Sequence, residues 1–244
     1  MANRCEQRCD CTTGVSLLDL GHRQSGFSLI EVVVAIGIIA ALSAAAIPSI
    51  QDMIERRRIQ GFARDAANMF QIARSQAIRT GNNHIVFFGP PGTLDPALNP
   101  VADAAGTSVP VLILDDGKPA TANCHIDGGE PIETLAAEDD VGWGVALATI
   151  KVPADEGGAT FSPPQSSGST FSFPGATARN WVLVRPDGVP VGIAPTATTC
   201  GTIGNIGTGG AGLYFTSNSR DYAVTLSPLG SVRVHAWNGA GWTL

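Results

Sequence analysis

The stretch from Gly26 to Ile50 reads GFSLIEVVVAIGIIAALSAAAIPSI, and from Phe27 to Ile47 it is almost wholly apolar. A helix needs ~20 such residues to cross the hydrocarbon core of a bilayer, so the run predicts a helix of membrane length. One acid, Glu31, interrupts it near its start. A carboxylate costs roughly 2.5–3.5 kcal/mol at the centre of a membrane helix and less near an end, so Glu31 needs a specific reason to be there.

On the amino-terminal side lie Arg4, Arg8, His22 and Arg23. Basic residues there favour a cytoplasmic amino terminus and export of the chain beyond the apolar run. An ordinary secretory signal is the competing reading, with Ala44-Ala45-Ala46 as its small-residue cleavage site. Glu31 inside the run and the helical pattern beyond it count against that reading. Cys5, Cys9 and Cys11 form C-x3-C-x-C, which is not the spacing of a zinc pair, and no His follows at ligand distance. They read as plain thiols of a leader.

On the other side, polarity changes after Pro48 and the period becomes helical. Ile54, Phe62, Ala66, Met69, Phe70, Ala73 and Ala77 fall on one face, and Gly81-Asn82-Asn83 is a stop signal. Phe27 to Thr80 therefore predicts one helix of roughly 80 Å, at ~1.5 Å per residue. Pro48 removes a backbone donor and is expected to kink or locally melt it. The first half is apolar all round and must be covered by lipid or other helices; the second has one apolar stripe and is expected to lie across a sheet. The triplet Arg56-Arg57-Arg58 is open to anionic lipid or acidic neighbours, with a solvated helix face the plainer reading.

The chain has 244 residues, which suits one membrane helix and one soluble domain. Frequent Gly (29) and Pro (16) fit a loop-rich β domain better than a helical one. Net charge is −6, and beyond Thr80 the cations are Lys118, Lys151, Arg179, Arg185, Arg220 and Arg233. That composition offers no basic stripe for neutralising phosphates. Strands are predicted at His84–Phe88, Val109–Leu114, Val141–Val152 (one long strand or a pair), Trp181–Arg185, Leu213–Phe215, Tyr222–Leu226 and Val232–Trp237, the last three as an antiparallel meander. Asp115-Asp116-Gly117, Pro186-Asp187-Gly188 and Pro228-Leu229-Gly230 read as turns, and 93–108 as a surface loop.

Catalytic chemistry is hard to find. Gly207–Gly212 satisfies G-x-G-x-x-G, but a glycine-rich loop precedes it and a strand comes after it, so it reads as a flexible loop rather than a dinucleotide site. His22, His84, His125 and His235 have no metal-ligand spacing, and no nucleophile elbow occurs. Cys124 beside His125 makes a dyad only if adjacency in sequence meant geometry, which it does not. The acids Asp115-Asp116 and Glu138-Asp139-Asp140 lack calcium-loop spacing and read as solvated turns.

Arg23, Gln24, Ser25 and Gly26 before Phe27, with Glu31 and the apolar helix after it, resemble a prepilin signal. Continuing through Pro48 and the amphipathic helix, the chain is similar to type IV pilin-like proteins, and most to GspH/FimT-type pseudopilins. The ending NSRDYAVTLSPLGSVRVHAWNG resembles that family's C-terminal hairpin. The resemblance implies an α+β pilin-like fold, a long N-terminal helix packed on an antiparallel β-sheet head. It implies a leader over 1–26, a transmembrane and assembly helix over 27–50, its amphipathic continuation over 51–80 and a periplasmic head over 81–244. A prepilin peptidase would cut between Gly26 and Phe27 and methylate Phe27, and Glu31, fifth in the mature chain, would guide assembly. Cys124 and Cys200, the two cysteines left after export to an oxidising compartment, read most simply as one disulfide.

The implied role is a minor pseudopilin, a non-enzymatic, cofactor-free subunit of the type II secretion pseudopilus, held in the bacterial inner membrane. Its partners would be other pseudopilins or minor pilins, the assembly platform and lipid. The alternative is a FimT-like minor pilin of a type IV pilus that binds DNA through its C-terminal region. Arg233 and His235 are the candidate contacts, but Ser231 stands where that branch favours arginine, so nucleic acid is not expected.

Overall fold

A computed structural model describes residues 26–117, 122–130, 132–162, 167–217 and 219–244. The leader as far as Ser25, with Cys5, Cys9 and Cys11, lies outside the described residues. Helix α1 spans Leu29–Thr80, 52 residues without interruption at Pro48. It begins where the Ser28 carbonyl accepts the N–H groups of Glu31 and Val32. It ends where Gly81 turns to φ 74° while donating to the Ala77 carbonyl, a left-handed cap that glycine adopts without steric cost.

The chain divides into two compact units, with the boundary after Ala46. In the first, the described residues are Gly26–Ala46, whose large apolar side chains are exposed. In the second, Ile59, Phe62, Ala63, Ala66, Ala67, Met69, Phe70, Ala73 and Ala77 are buried. Ile54, expected on this face, is instead 46% exposed. It lies eight residues before Phe62, which puts it about 80° out of phase at ~100° per residue, while Ile59, Ala63 and Ala67 complete the stripe.

The strands are β1 Asn83–Phe88, β2 Val111–Asp116, β3 Ile132–Leu135, β4 Gly142–Trp143, β5 Trp181–Val184, β6 Pro190–Val191, β7 Ile193–Ala194, β8 Thr202–Ile203, β9 Ala211–Thr216, β10 Asp221–Leu226, β11 Val232–Trp237 and β12 Trp242–Thr243. They form one sheet in the order β3-β2-β1-β5-β6, a second in the order β12-β11-β10-β9-β4, and the pair β7-β8. All paired strands are antiparallel. The molecule is therefore α+β, a long helix followed by antiparallel sheets, consistent with a pilin-like layout. The expected meander is β9-β10-β11, with Val224 between Leu213 and Val234.

Both large sheets are covered on both faces, which explains why β1, β2 and β5 read as continuous apolar runs. Val86, Phe88, Ile113 and Val182 of the first sheet and Leu213, Phe215 and Val224 of the second join the buried face of α1 in one core. The opposite face of the first sheet, with Ile85, Phe87, Leu112 and Leu183, is covered by Val101, Val109, Cys124 and Ile193. The opposite face of the second, with Tyr214, Ala223 and Trp237, is covered by Val145, Ala148 and Val152.

Two expectations are corrected. Val141–Val152 is neither one long strand nor a strand pair: only Gly142–Trp143 is strand, and in the loop beyond it the N–H groups of Ala146, Leu147 and Ala148 are taken by the Asp221 carboxylate. The strand expected over Val109–Leu114 is displaced to Val111–Asp116, so Asp115 and Asp116 are strand residues rather than a solvated turn. Asp116 is buried.

Candidate functional site

Gly26, Phe27 and Ser28 precede the first turn of α1 without helical structure. A Cβ added at Gly26 would meet nothing within 4 Å, and Phe27 is 81% exposed. Ser28 occupies the N-cap and Glu31 the third helical position, where unpaired N–H groups and the positive end of the helix dipole favour a carboxylate. From there α1 is long and apolar enough to cross a membrane. The side chains of Ile36, Ile39, Leu42 and Ile47 are exposed.

In the head, Cys124 and Cys200 are joined in a disulfide, with Cα atoms 4.8 Å apart. Asp116 lies against it. Its carboxylate accepts the N–H groups of Asn123 and Cys124, both at 2.9 Å, and one of its oxygens is 3.6 and 3.4 Å from the two sulfurs. Burial pushes the Asp116 carboxyl above its ordinary value, against the pull of those two N–H groups. The three side chains approach each other closely enough to suggest a metal site, but the sulfurs are spent on one another and leave a single donor. The same bond removes the Cys124–His125 dyad. His125 is buried, and neither ring nitrogen has a partner among the described residues. Nearby Glu130 is buried with one carboxylate oxygen unpartnered, and burial, followed by Asp127, Asp116 and Asp115, pushes it up to about 7.

Two buried acids were not singled out by sequence. The Asp221 carboxylate accepts the N–H groups of Ala146 (3.2 Å), Leu147 (2.7 Å) and Ala148 (2.6 Å), and the Thr216 hydroxyl (2.6 Å). The Asp155 carboxylate accepts the Thr170 and Tyr214 hydroxyls and the Gly157 N–H. Burial and this carboxylate both raise the Tyr214 phenol, whose oxygen accepts the Val152 N–H. With every group bonded, these are structural clamps rather than acid–base centres. A single acid before an apolar strand carries no signal that it will turn inward.

The glycine run Gly207–Gly212 is closely packed rather than an open loop. A Cβ on Gly209 would lie 2.5 Å from the Pro190 carbonyl carbon, and one on Gly212 would lie 2.9 Å from Asp155 Oδ2. Of the two candidate DNA contacts, Arg233 is exposed and His235 is not. It is buried, its Nε2 lies 3.0 Å from the Thr225 hydroxyl, and burial followed by Arg233 lowers its pKa. The ring is thus held neutral and offers no charge to a phosphate.

A family model described as the prokaryotic N-terminal methylation motif matches residues 21–47. This N-terminus is that of a type IV pilin-like prepilin. The motif implies processing by a prepilin peptidase and assembly with other pilins, and it points to a structural subunit, pseudopilin or pilin, anchored in a membrane. Comparison of the chain with curated proteins and with solved structures finds no significant match to either.

Proposed function

We propose that this chain is a minor pseudopilin of a type II secretion pseudopilus. The peptidase cuts between Gly26 and Phe27 and methylates the new amine, and the head lies in the periplasm. The observation that carries this reading is the split character of α1. Its first half, entered through the methylation motif, is apolar and exposed all round, while its second half is buried on one side against a β head. Such a helix anchors the chain in lipid and supplies the shaft that neighbouring subunits cover.

Glu31 gives the shaft its register. After cleavage the amine of Phe27 is a cation four residues away, and an incoming subunit's Glu31 can meet a neighbour's amine. An unpaired carboxylate in an apolar bundle is strongly disfavoured, so one axial offset satisfies both charges. Pro48 gives the helix a point of compliance, because the Ala44 carbonyl has no N–H from residue 48 to accept. The test is mass spectrometry of membrane-extracted protein, with Phe27 expected as the methylated N-terminal residue. Glu31→Val should leave insertion and cleavage intact and sharply reduce cross-linking to partner pilins and secretion. An intact leader, a mature end near Ile47, or normal incorporation of Glu31→Val would overturn the reading.

A further inference from the structure

On one flank of α1 a cleft of about 390 Å3 is lined by Arg56, Arg220, Leu147, Ser219 and Trp237. Among the described residues neither guanidinium has a counter-ion: the ion pairs join Arg58 to Asp140, His84 to Asp115 and Arg185 to Asp187. Asp52, one turn before Arg56, pairs with neither. The Ser219 hydroxyl is buried and has no hydrogen-bond partner among the described residues. The walls are held in place. The Leu147 N–H is fixed by Asp221, the residue after Arg220, and the Arg220 carbonyl accepts the Ser217 N–H at 2.8 Å. Trp237 is buried, with its ring 5.5 Å from that of Trp242. The result is a cleft carrying two guanidinium groups without counter-ions among the described residues, on a chain of net charge −6.

The counterpart lies on the other flank. Arg58 reaches Asp140 at 3.3 Å, and Glu138 and Asp139 beside it are exposed and unpaired among the described residues. Residues 56 and 58 point about 200° apart around the helix axis, so the cleft and the acidic loop face away from each other. A chain cannot fill its own cleft with its own loop.

We propose that the Arg56–Arg220 cleft is a carboxylate dock, and that its occupant is the Glu138–Asp140 loop of a second copy of this chain. Guanidinium forks take carboxylates in a planar, two-point geometry. Because the dock and the loop are different surfaces, the contact is head-to-tail and repeats from copy to copy, closing a ring or extending as an open array. Exposed charge pairs give selectivity and register more than affinity, so the contact is weak between dilute molecules and strong in effect where chains are crowded. The inference needs only the head and holds whether or not the chain is a pseudopilin.

The chain has two lysines, Lys118 and Lys151, so new amines are easily traced. Full-length Arg56→Lys/Arg220→Lys protein, as a mixture of isotopically labelled and unlabelled chains in membranes, is treated with a carbodiimide that joins amines to carboxylates. The expected product is a mixed-label peptide linking position 56 or 220 of one copy to Glu138, Asp139 or Asp140 of another. Separately, Arg56→Glu/Arg220→Glu should lower such copy-to-copy contact at least fivefold by a charge-independent photo-cross-linker, with unfolding temperature unchanged. Adding Glu138→Arg/Asp139→Arg should restore it. Links to other acids only, links within one copy only, or no restoration by the charge swap would overturn the proposal. So would retention of an oligonucleotide through the two arginines without any copy-to-copy link, which would assign the cleft to phosphate.

Discussion

Phe62 of α1 meets Phe215 of β9 edge to face, with ring centroids 5.0 Å apart and planes at 87°. Phe215 meets Trp143 at the same separation, so a chain of rings ties the helix to the second sheet. Truncating a buried phenylalanine costs about 3–5 kcal/mol through lost burial and the cavity left behind. For a domain of this size 1 kcal/mol corresponds to about 2–4 °C. Phe62→Ala should therefore lower the unfolding temperature of the head by roughly 6–20 °C by calorimetry, and Phe62→Leu by less than half of that. A loss of under 2 °C for the alanine variant would show that the helix is not part of the head's cooperative core.

Asp221 holds the 146–148 loop by three N–H groups and keeps the Thr216 hydroxyl as a fourth donor. In Asp221→Asn the charge is lost and an NH2 faces backbone donors. Hydrogen bonds to charged groups contribute about 1.5–3 kcal/mol each and are not additive, so a total loss of about 2–4 kcal/mol is expected. Hydrogen exchange at Ala146, Leu147 and Ala148 should accelerate well before that of β10. Uniform acceleration across the head would refute a local clamp.

The Cys124–Cys200 bond spans a sequence separation of 76. Closing a loop of that length stabilises by roughly 4 kcal/mol in the chain-entropy model. Non-reducing peptide mapping should recover the two cysteines joined, and Cys124→Ala/Cys200→Ala should unfold at distinctly lower denaturant. Two free thiols in protein from the native compartment would contradict the pairing.

Glu130 and His235 set opposing pH dependences. Glu130 holds its proton more tightly in the fold, up to about 7. Its contribution is therefore complete below the unfolded value near 4.5 and is lost as pH rises through about 7. His235 is held neutral, so its contribution is complete above about 6.5 and is lost as pH falls below that. Glu130→Gln is neutral throughout. The variant should match the parent below pH 4 and melt a few degrees higher at pH 8. An offset that is equal at both pH values would exclude titration of Glu130 as the cause.

The long helix and the strands β1, β5, β9, β10 and β11 are legible because each is set by local pattern: an unbroken apolar run, a helical stripe, or apolar residues between turn residues. The turn 228–230 is legible for the same reason, with Gly230 at φ 84°. The segment 141–152 misleads because its buried Val145, Ala148 and Val152 mimic strand composition while Asp221 supplies its hydrogen bonds, reaching Leu147 across 74 residues of chain. The two-residue strands β6, β7, β8 and β12 pair with near neighbours in the chain but are too short to leave a periodic trace. Gly26, Phe27 and Glu31 stand out in the sequence because their spacing is itself the signal. Arg220 and Arg56 do not, since only folding brings a β9–β10 turn beside the helix.

Among the described residues, every buried side chain of α1 lies at Ile59 or later. The head's cohesion is thus indifferent to what surrounds residues 27–50. Acyl chains can be exchanged for the flanks of other subunits around that rod without any contact inside the head's core being broken. A subunit can leave one solvent for another as a finished part, because the rod's change of surroundings leaves the head's own fold untouched.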